Sequence, residues 1–140
     1  MNYNKRTSLS FAFVALGMFM LFIAPLFGQA FEGFVLYSDL GSNSAYLVDK
    51  DGNIAHSWSC NTSCNYTALL KPNGNIVRGG EASNVQINAA AVGGLIQEYD
   101  PSGNVVWEFT YNTSNHVTHH DIALMPNGNV LMIAYEVINS

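Results

Sequence analysis

Ile122-Ala123-Leu124-Met125-Pro126-Asn127-Gly128-Asn129-Val130-Leu131-Met132-Ile133-Ala134 is two short apolar runs joined by a turn. The runs are too short for typical helices and are rich in β-branched residues, so they predict strands. Proline starts the turn and glycine supplies a position with positive φ, which makes the stretch a β-hairpin.

Three other stretches follow the same grammar. Tyr46-Leu47-Val48-Asp49 leads through Lys50-Asp51-Gly52-Asn53 to Ile54-Ala55-His56-Ser57-Trp58. Thr67-Ala68-Leu69-Leu70 leads through Lys71-Pro72-Asn73-Gly74-Asn75 to Ile76-Val77-Arg78. Leu95-Ile96-Gln97-Glu98-Tyr99 leads through Asp100-Pro101-Ser102-Gly103-Asn104 to Val105-Val106-Trp107-Glu108-Phe109. The first and third hairpins share Asp before the turn and Trp on the return strand; the second and fourth share Pro-Asn-Gly-Asn. Gly52 to Gly103 is 51 residues and Gly74 to Gly128 is 54, so the period is two hairpins in roughly 50 residues.

Four short strands at that period are what one β-propeller blade needs. The expected fold is therefore all-β: part of a β-propeller, about two four-stranded blades, preceded by a signal peptide. A propeller needs at least about four blades, so residues 31–140 are expected to be the N-terminal portion of a longer domain, truncated at the C-terminus. A complete eight-strand β-sandwich is the alternative that the length allows, and the paired repeat argues against it. Residues Gly79 to Gly94, rich in Gly, Ala, Ser and Asn, read as a long inter-strand loop on the functional face.

At the N-terminus, Lys5 and Arg6 precede an apolar stretch from Leu9 to Phe27 and the small residues Gly28 and Ala30. Charge, apolar core and small-residue end form a signal-peptide pattern over residues 1–30. A retained membrane anchor is the competing reading, because the run is nearly long enough to span a bilayer. Pro25 and Gly28 suit a processing site better than a continued helix. The mature protein is thus expected to be secreted or periplasmic, with no stable membrane insertion after signal removal.

Beyond residue 30, the bases Lys50, Lys71 and Arg78 stand against ten acids, a net charge of −7. That balance argues against nucleic acid as a partner. Cys60 and Cys64 flank Asn61-Thr62-Ser63, and in an exported chain such spacing suggests a disulfide. Free thiols and metal ligation are the alternatives; two cysteines alone do not make a structural zinc site. No metal and no cofactor are called for.

The concentrated polar signal is Asn115-His116-Val117-Thr118-His119-His120-Asp121, immediately before the apolar run at 122. Histidine serves as nucleophile, proton shuttle or ligand near neutral pH. Neighbours in an extended chain point opposite ways, so His119 and His120 cannot share one ligand without a kink. Asp121 is the candidate to fix an imidazole tautomer. The plainer alternative makes all three polar turn residues bonded to the backbone. His56 reads as a sheet-surface residue, Trp58 and Trp107 as packing, and Arg78 as a residue able to face an anion.

His119-His120-Asp121-Ile122 followed by Met125-Pro126-Asn127-Gly128-Asn129-Val130-Leu131 resembles the arylsulfotransferase family, the PAPS-independent aryl-sulfate sulfotransferases of bacteria. Tyr46 to Trp58 is similar to an early part of the same family, and the resemblance runs over roughly residues 32–136. It implies a six-bladed propeller with its site at a central channel. There a histidine takes a sulfuryl group from a phenolic sulfate ester and passes it to a phenol. Small-molecule aryl sulfates and phenols are then the partners, and the matching histidine lies in the His119–His120 pair, with His119 the choice. An exported propeller that binds a glycan or a surface partner without catalysis is the other function class.

Overall fold

The computed structural model describes residues 32–138. The expected leader, residues 1–30, lies outside them. Every regular element among the described residues is a strand: β1 (Phe34–Tyr37), β2 (Ser44–Asp49), β3 (Ile54–Ser59), β4 (Cys64–Leu70), β5 (Ile76–Glu81), β6 (Gly94–Tyr99), β7 (Val105–Thr110), β8 (His116–Leu124) and β9 (Val130–Glu136). The all-β expectation therefore holds, and no helix among these residues is long and apolar enough to cross a membrane.

The four predicted hairpins form with one shared turn. In each, the residue before the turn donates its amide to the Asn that ends it, as in Asp49 to Asn53 at 3.0 Å and Met125 to Asn129 at 2.9 Å. The glycine in between donates back, and its φ lies between 84° and 87° in all four turns. This is the three-residue hairpin in which a type I turn ends on a left-handed residue. Asp49 and Asp100 reinforce their turns by accepting two backbone amides each on Oδ1, at 2.8–2.9 Å.

The strands make three antiparallel sheets with consecutive order: β1-β2-β3, β4-β5-β6-β7 and β8-β9. One four-stranded unit is thus complete, and it joins the second hairpin to the third. The Gly-rich stretch expected to be loop is partly strand: β5 runs on through Gly79 and Gly80, and Glu81 pairs with Gly94 of β6. The remaining connection, residues 82–93, links two neighbouring strands.

The middle sheet has neighbours on both faces. Alternation sends Ile76, Arg78 and Tyr99 to one side and Val77 and Ile96 to the other. On the first side Ile76 and Tyr99 join Ala45, Trp58 and Cys60, with Leu36 and Leu47 beside them. On the second, Val77 and Ile96 join Ile122, flanked by Leu69, Leu124, Val130 and Met132. Trp58 is buried as expected, whereas Trp107 at the equivalent place is 41% exposed and stacks on Phe109. The difference follows from coverage: the face that Trp107 shares looks toward a sheet of only two described strands.

The first seam also carries polar groups. The Tyr99 hydroxyl, Gln97, Asn61 and Thr62 are interlinked by bonds of 2.6–3.0 Å, and Gln97 Nε2 also donates to Glu108. Arg78 is fully buried there, donating to the Thr62 carbonyl with its guanidinium over the Tyr99 ring. Cys60 and Cys64 are both buried free thiols, so the expected disulfide is not formed in this structure. The neck of their loop is closed instead by two backbone bonds onto consecutive residues, Cys60 to Asn43 at 2.7 Å and Cys64 to Ser42 at 2.9 Å.

Candidate functional site

The His-His-Asp segment lies inside β8, at an interruption of its pairing with β9. Thr118 pairs with Ala134 and Ile122 with Met132, and the register shifts between them. Three residues on β8, 119–121, therefore face the single residue 133 on β9, two more than regular pairing allows, the geometry of an enlarged bulge. His120 adopts φ 55°, a left-handed conformation uncommon for a residue with a side chain. This is the kink that two adjacent histidines need in order to meet. Their Nδ1 atoms lie 2.8 Å apart with the rings edge to face.

Three neighbours hold the bulge. From β4, the Thr67 hydroxyl lies 2.8 Å from Asp121 Oδ1 and 3.2 Å from the His120 carbonyl. From the 82–93 connection, Val92 bridges to His119, the Gly93 amide donates to the Thr118 carbonyl at 2.8 Å, and the His120 amide donates to the Ala91 carbonyl at 3.2 Å. From β9, the Tyr135 ring stacks on His119 with centroids 3.9 Å apart. His119 is consequently half-buried and His120 exposed.

A contact of 2.8 Å between two ring nitrogens requires a proton between them, so one Nδ1 donates and the other accepts. When His119 supplies the proton, its Nε2 holds the lone pair and is a nucleophile. Burial first, and the neighbouring His120 second, push the His119 pKa below the usual imidazole value, which favours the neutral, nucleophilic ring. The partner of His119 Nδ1 is thus His120. The sequence pointed to Asp121 for that part, but the carboxylate is engaged by Thr67 and by the Ile122 amide at 2.8 Å.

The remaining candidates fall elsewhere. Arg78 points into the first seam, on the opposite face of the sheet from Val77, which packs with Ile122. His56 binds the Pro101 carbonyl through Nε2 at 2.9 Å and packs edge-on against Trp58, tying the first sheet to a turn of the second. His116 stacks on Tyr111. Among the described residues no group of three or more His, Cys, Asp or Glu is placed to hold a metal ion.

The family model for arylsulfotransferases (ASST) matches residues 27–139. The chain belongs to the arylsulfotransferase family. No curated protein matches it. Within this arylsulfotransferase chain the bulge occurs twice: β4 shifts register against β5 between Cys64 and Ala68, 54 residues before Thr118 and Ile122. Asn65 and Thr67 stand where His119 and Asp121 stand one repeat later. The aligned frames Leu70-Lys71-Pro72-Asn73-Gly74-Asn75 and Leu124-Met125-Pro126-Asn127-Gly128-Asn129 carry the signal that would bring Asn65 and Thr67 to the site.

Proposed function

We propose that this arylsulfotransferase moves a sulfuryl group from an aryl sulfate to a phenol through His119. The observation that carries the reading is the His119–His120 contact on the β8 bulge, in a chain of this family. In the first half-reaction the His119 Nε2 lone pair attacks sulfur. The bond from sulfur to the aryl oxygen breaks, and the donor leaves as a phenolate that takes up a proton. In the second, the acceptor oxygen attacks the same sulfur, the nitrogen–sulfur bond breaks, and the acceptor's proton passes to solvent. No nucleotide enters either half. Nδ1–H donation to His120 supports the positive charge that the attacking ring acquires.

The three sheets read as successive blades of a β-propeller. The middle sheet is a complete blade. In the first sheet, β2 and β3 correspond to β6 and β7, so its three strands are the outer part of a blade. In the third, β8 and β9 correspond to β4 and β5, the inner hairpin. On this reading both bulges lie on innermost strands, toward a central channel. Export to the periplasm or medium, directed by residues 1–30, completes the reading.

The test uses the full-length protein, a chromogenic aryl sulfate and an added phenol. Wild type should turn over without nucleotide. His119→Ala and His120→Ala should each lower kcat by at least about a hundredfold, and His56→Ala should leave it within about twofold. Absence of turnover by well-folded wild type across several donors and acceptors would favour a binding module.

A further inference from the structure

The bulge in β8 rests on a carbonyl that is itself in an unusual place. Ala91, like His120, has a left-handed backbone, with φ 54°. For an alanine that conformation is disfavoured by the side-chain carbon, so something must hold it. Two donors converge on the Ala91 carbonyl, the His120 amide at 3.2 Å and the Asn65 side-chain amide at 3.2 Å. Asn65 is 3% exposed, and the space it occupies has been cleared for it. A Cβ on Gly93 would lie 2.4 Å from Asn65 Nδ2, and a Cβ on Gly79 would lie 2.9 Å from the Asn65 carbonyl. A glycine inside β5 and one at the end of the 82–93 connection thus accommodate one asparagine.

The structure assigns to Asn65 the part of positioning residue for the histidine pair. Its amide fixes the Ala91 carbonyl, which fixes the His120 amide. That holds the left-handed turn which brings Nδ1 of His120 to Nδ1 of His119. Asn65 occupies the place in its own repeat that His119 occupies in the next. One bulge therefore carries the pair and the preceding bulge braces it. The assignment rests on the proposed sulfuryl transfer for its catalytic consequence, but not for its structural one.

The experiment records ring-nitrogen NMR of the full-length protein with labelled histidine at a pH where the pair is neutral. Wild type should show one ring of the pair with its proton on Nδ1, shared with the other ring. Asn65→Asp keeps the shape and removes the donor. Gly93→Ala drives a methyl group into Asn65 Nδ2 and also against the Gly80 carbonyl, and leaves Asn65 itself unchanged. In both, the Nδ1 proton signal should be lost and both rings should move to the Nε2–H form. In the transfer assay kcat should fall about a hundredfold with KM unchanged. Wild-type ring signals in either folded variant would overturn the assignment. If one variant fails to fold, the other decides. Ring signals that respond in a wild type without turnover would leave the positioning part standing and remove the sulfuryl-transfer reading.

Discussion

At the residue scale, His119 has two neighbours that set its charge state. Burial and the nearby His120 both disfavour its protonated form. A folded pKa below the unfolded value means that protonation is resisted until the pH falls below the usual imidazole range of about 6.5. The expected consequence is a pH–rate profile whose acidic limb breaks below about 6.5. Tyr135→Leu keeps an apolar cover and loses the stacked ring, so the break should move only slightly; Tyr135→Ala opens the ring to water and should move it toward the ordinary value. Steady-state rates between pH 4.5 and 8 would show it, and an unshifted break in Tyr135→Ala would contradict the argument.

The residues of the site were unequally legible. The histidines announced themselves because two imidazoles and a carboxylate in succession are a rare concentration of titratable groups. The need for a kink followed from strand alternation, and the left-handed His120 supplies it. The orienting role was assigned to Asp121 because sequence shows adjacency and not direction. Only the bulge reveals that the carboxylate turns toward Thr67, a residue 54 positions earlier. Arg78 was offered to an anion for its charge alone. Its burial against Tyr99 depends on which face of β5 meets the first sheet, and one residue of phase decides that.

At the scale of elements, the turns were readable down to the sign of φ. A Cβ at Gly128 would meet nothing within 4 Å, while one at Gly74 would lie 3.3 Å from a Pro101 ring carbon. Gly128→Ala should cost about 1 kcal/mol, the backbone term alone, and Gly74→Ala should cost more. Chemical denaturation of the two variants would order them, and equal losses would show that Pro101 yields freely. The Asp turns add a dependence on pH. Hydrogen bonds from Asn104 hold the Asp100 carboxyl below its ordinary value of 3.8, and Asn53 does the same for Asp49. A depressed carboxylate contributes stability above its unfolded pKa and loses it as pH falls through the folded one. Asp100→Asn should therefore lower Tm at pH 7, and the gap from wild type should close as the buffer is taken below pH 3.8.

Sheet membership was less legible than hairpins. The 51- and 54-residue offsets give the period but not its phase, and the stretch from Gly79 to Gly94 reads as one long inter-strand loop. The paired glycines hide the end of β5, because small residues carry little strand signal while Gly79 still pairs with Ile96 and Gly80 with Leu95 of β6. The cysteines show a related gap. Their spacing would favour a bridge in an exported chain, whereas here both are free thiols and backbone bonds to Ser42 and Asn43 close that loop.

At the scale of the whole molecule, stability is divided between two seams on opposite faces of the middle sheet. Ile76→Ala in the first seam should cost about 2–5 kcal/mol, and Ile122→Ala in the second a similar amount. The residues share no partner, so the double variant should lose the sum of the two to within about 0.5 kcal/mol. Denaturant midpoints with unchanged slopes would measure this. The outer strands β1 and β9 also present unpaired backbone and exposed apolar side chains, among them Val35 and Leu131 at 65% and 61%. Residues 32–138 expressed alone should self-associate through these edges. A single monomeric species in sedimentation at high concentration would count against the propeller reading.

The unlike chemistry of the two seams gives the molecule a thermal asymmetry. The first adds to its apolar cluster a network through Tyr99, Gln97, Asn61 and Arg78, whose bonds persist on cooling. The second is lined by Val77, Ile96, Ile122, Leu124 and Met132 and holds by exclusion of water, a force that weakens as temperature falls. Chilled toward freezing, the protein should slacken first between the middle sheet and β8-β9. The histidine pair would then loosen at its hinge while the far side of the molecule stayed closed. Cold, and not heat, is the condition under which the site should come apart before the fold does.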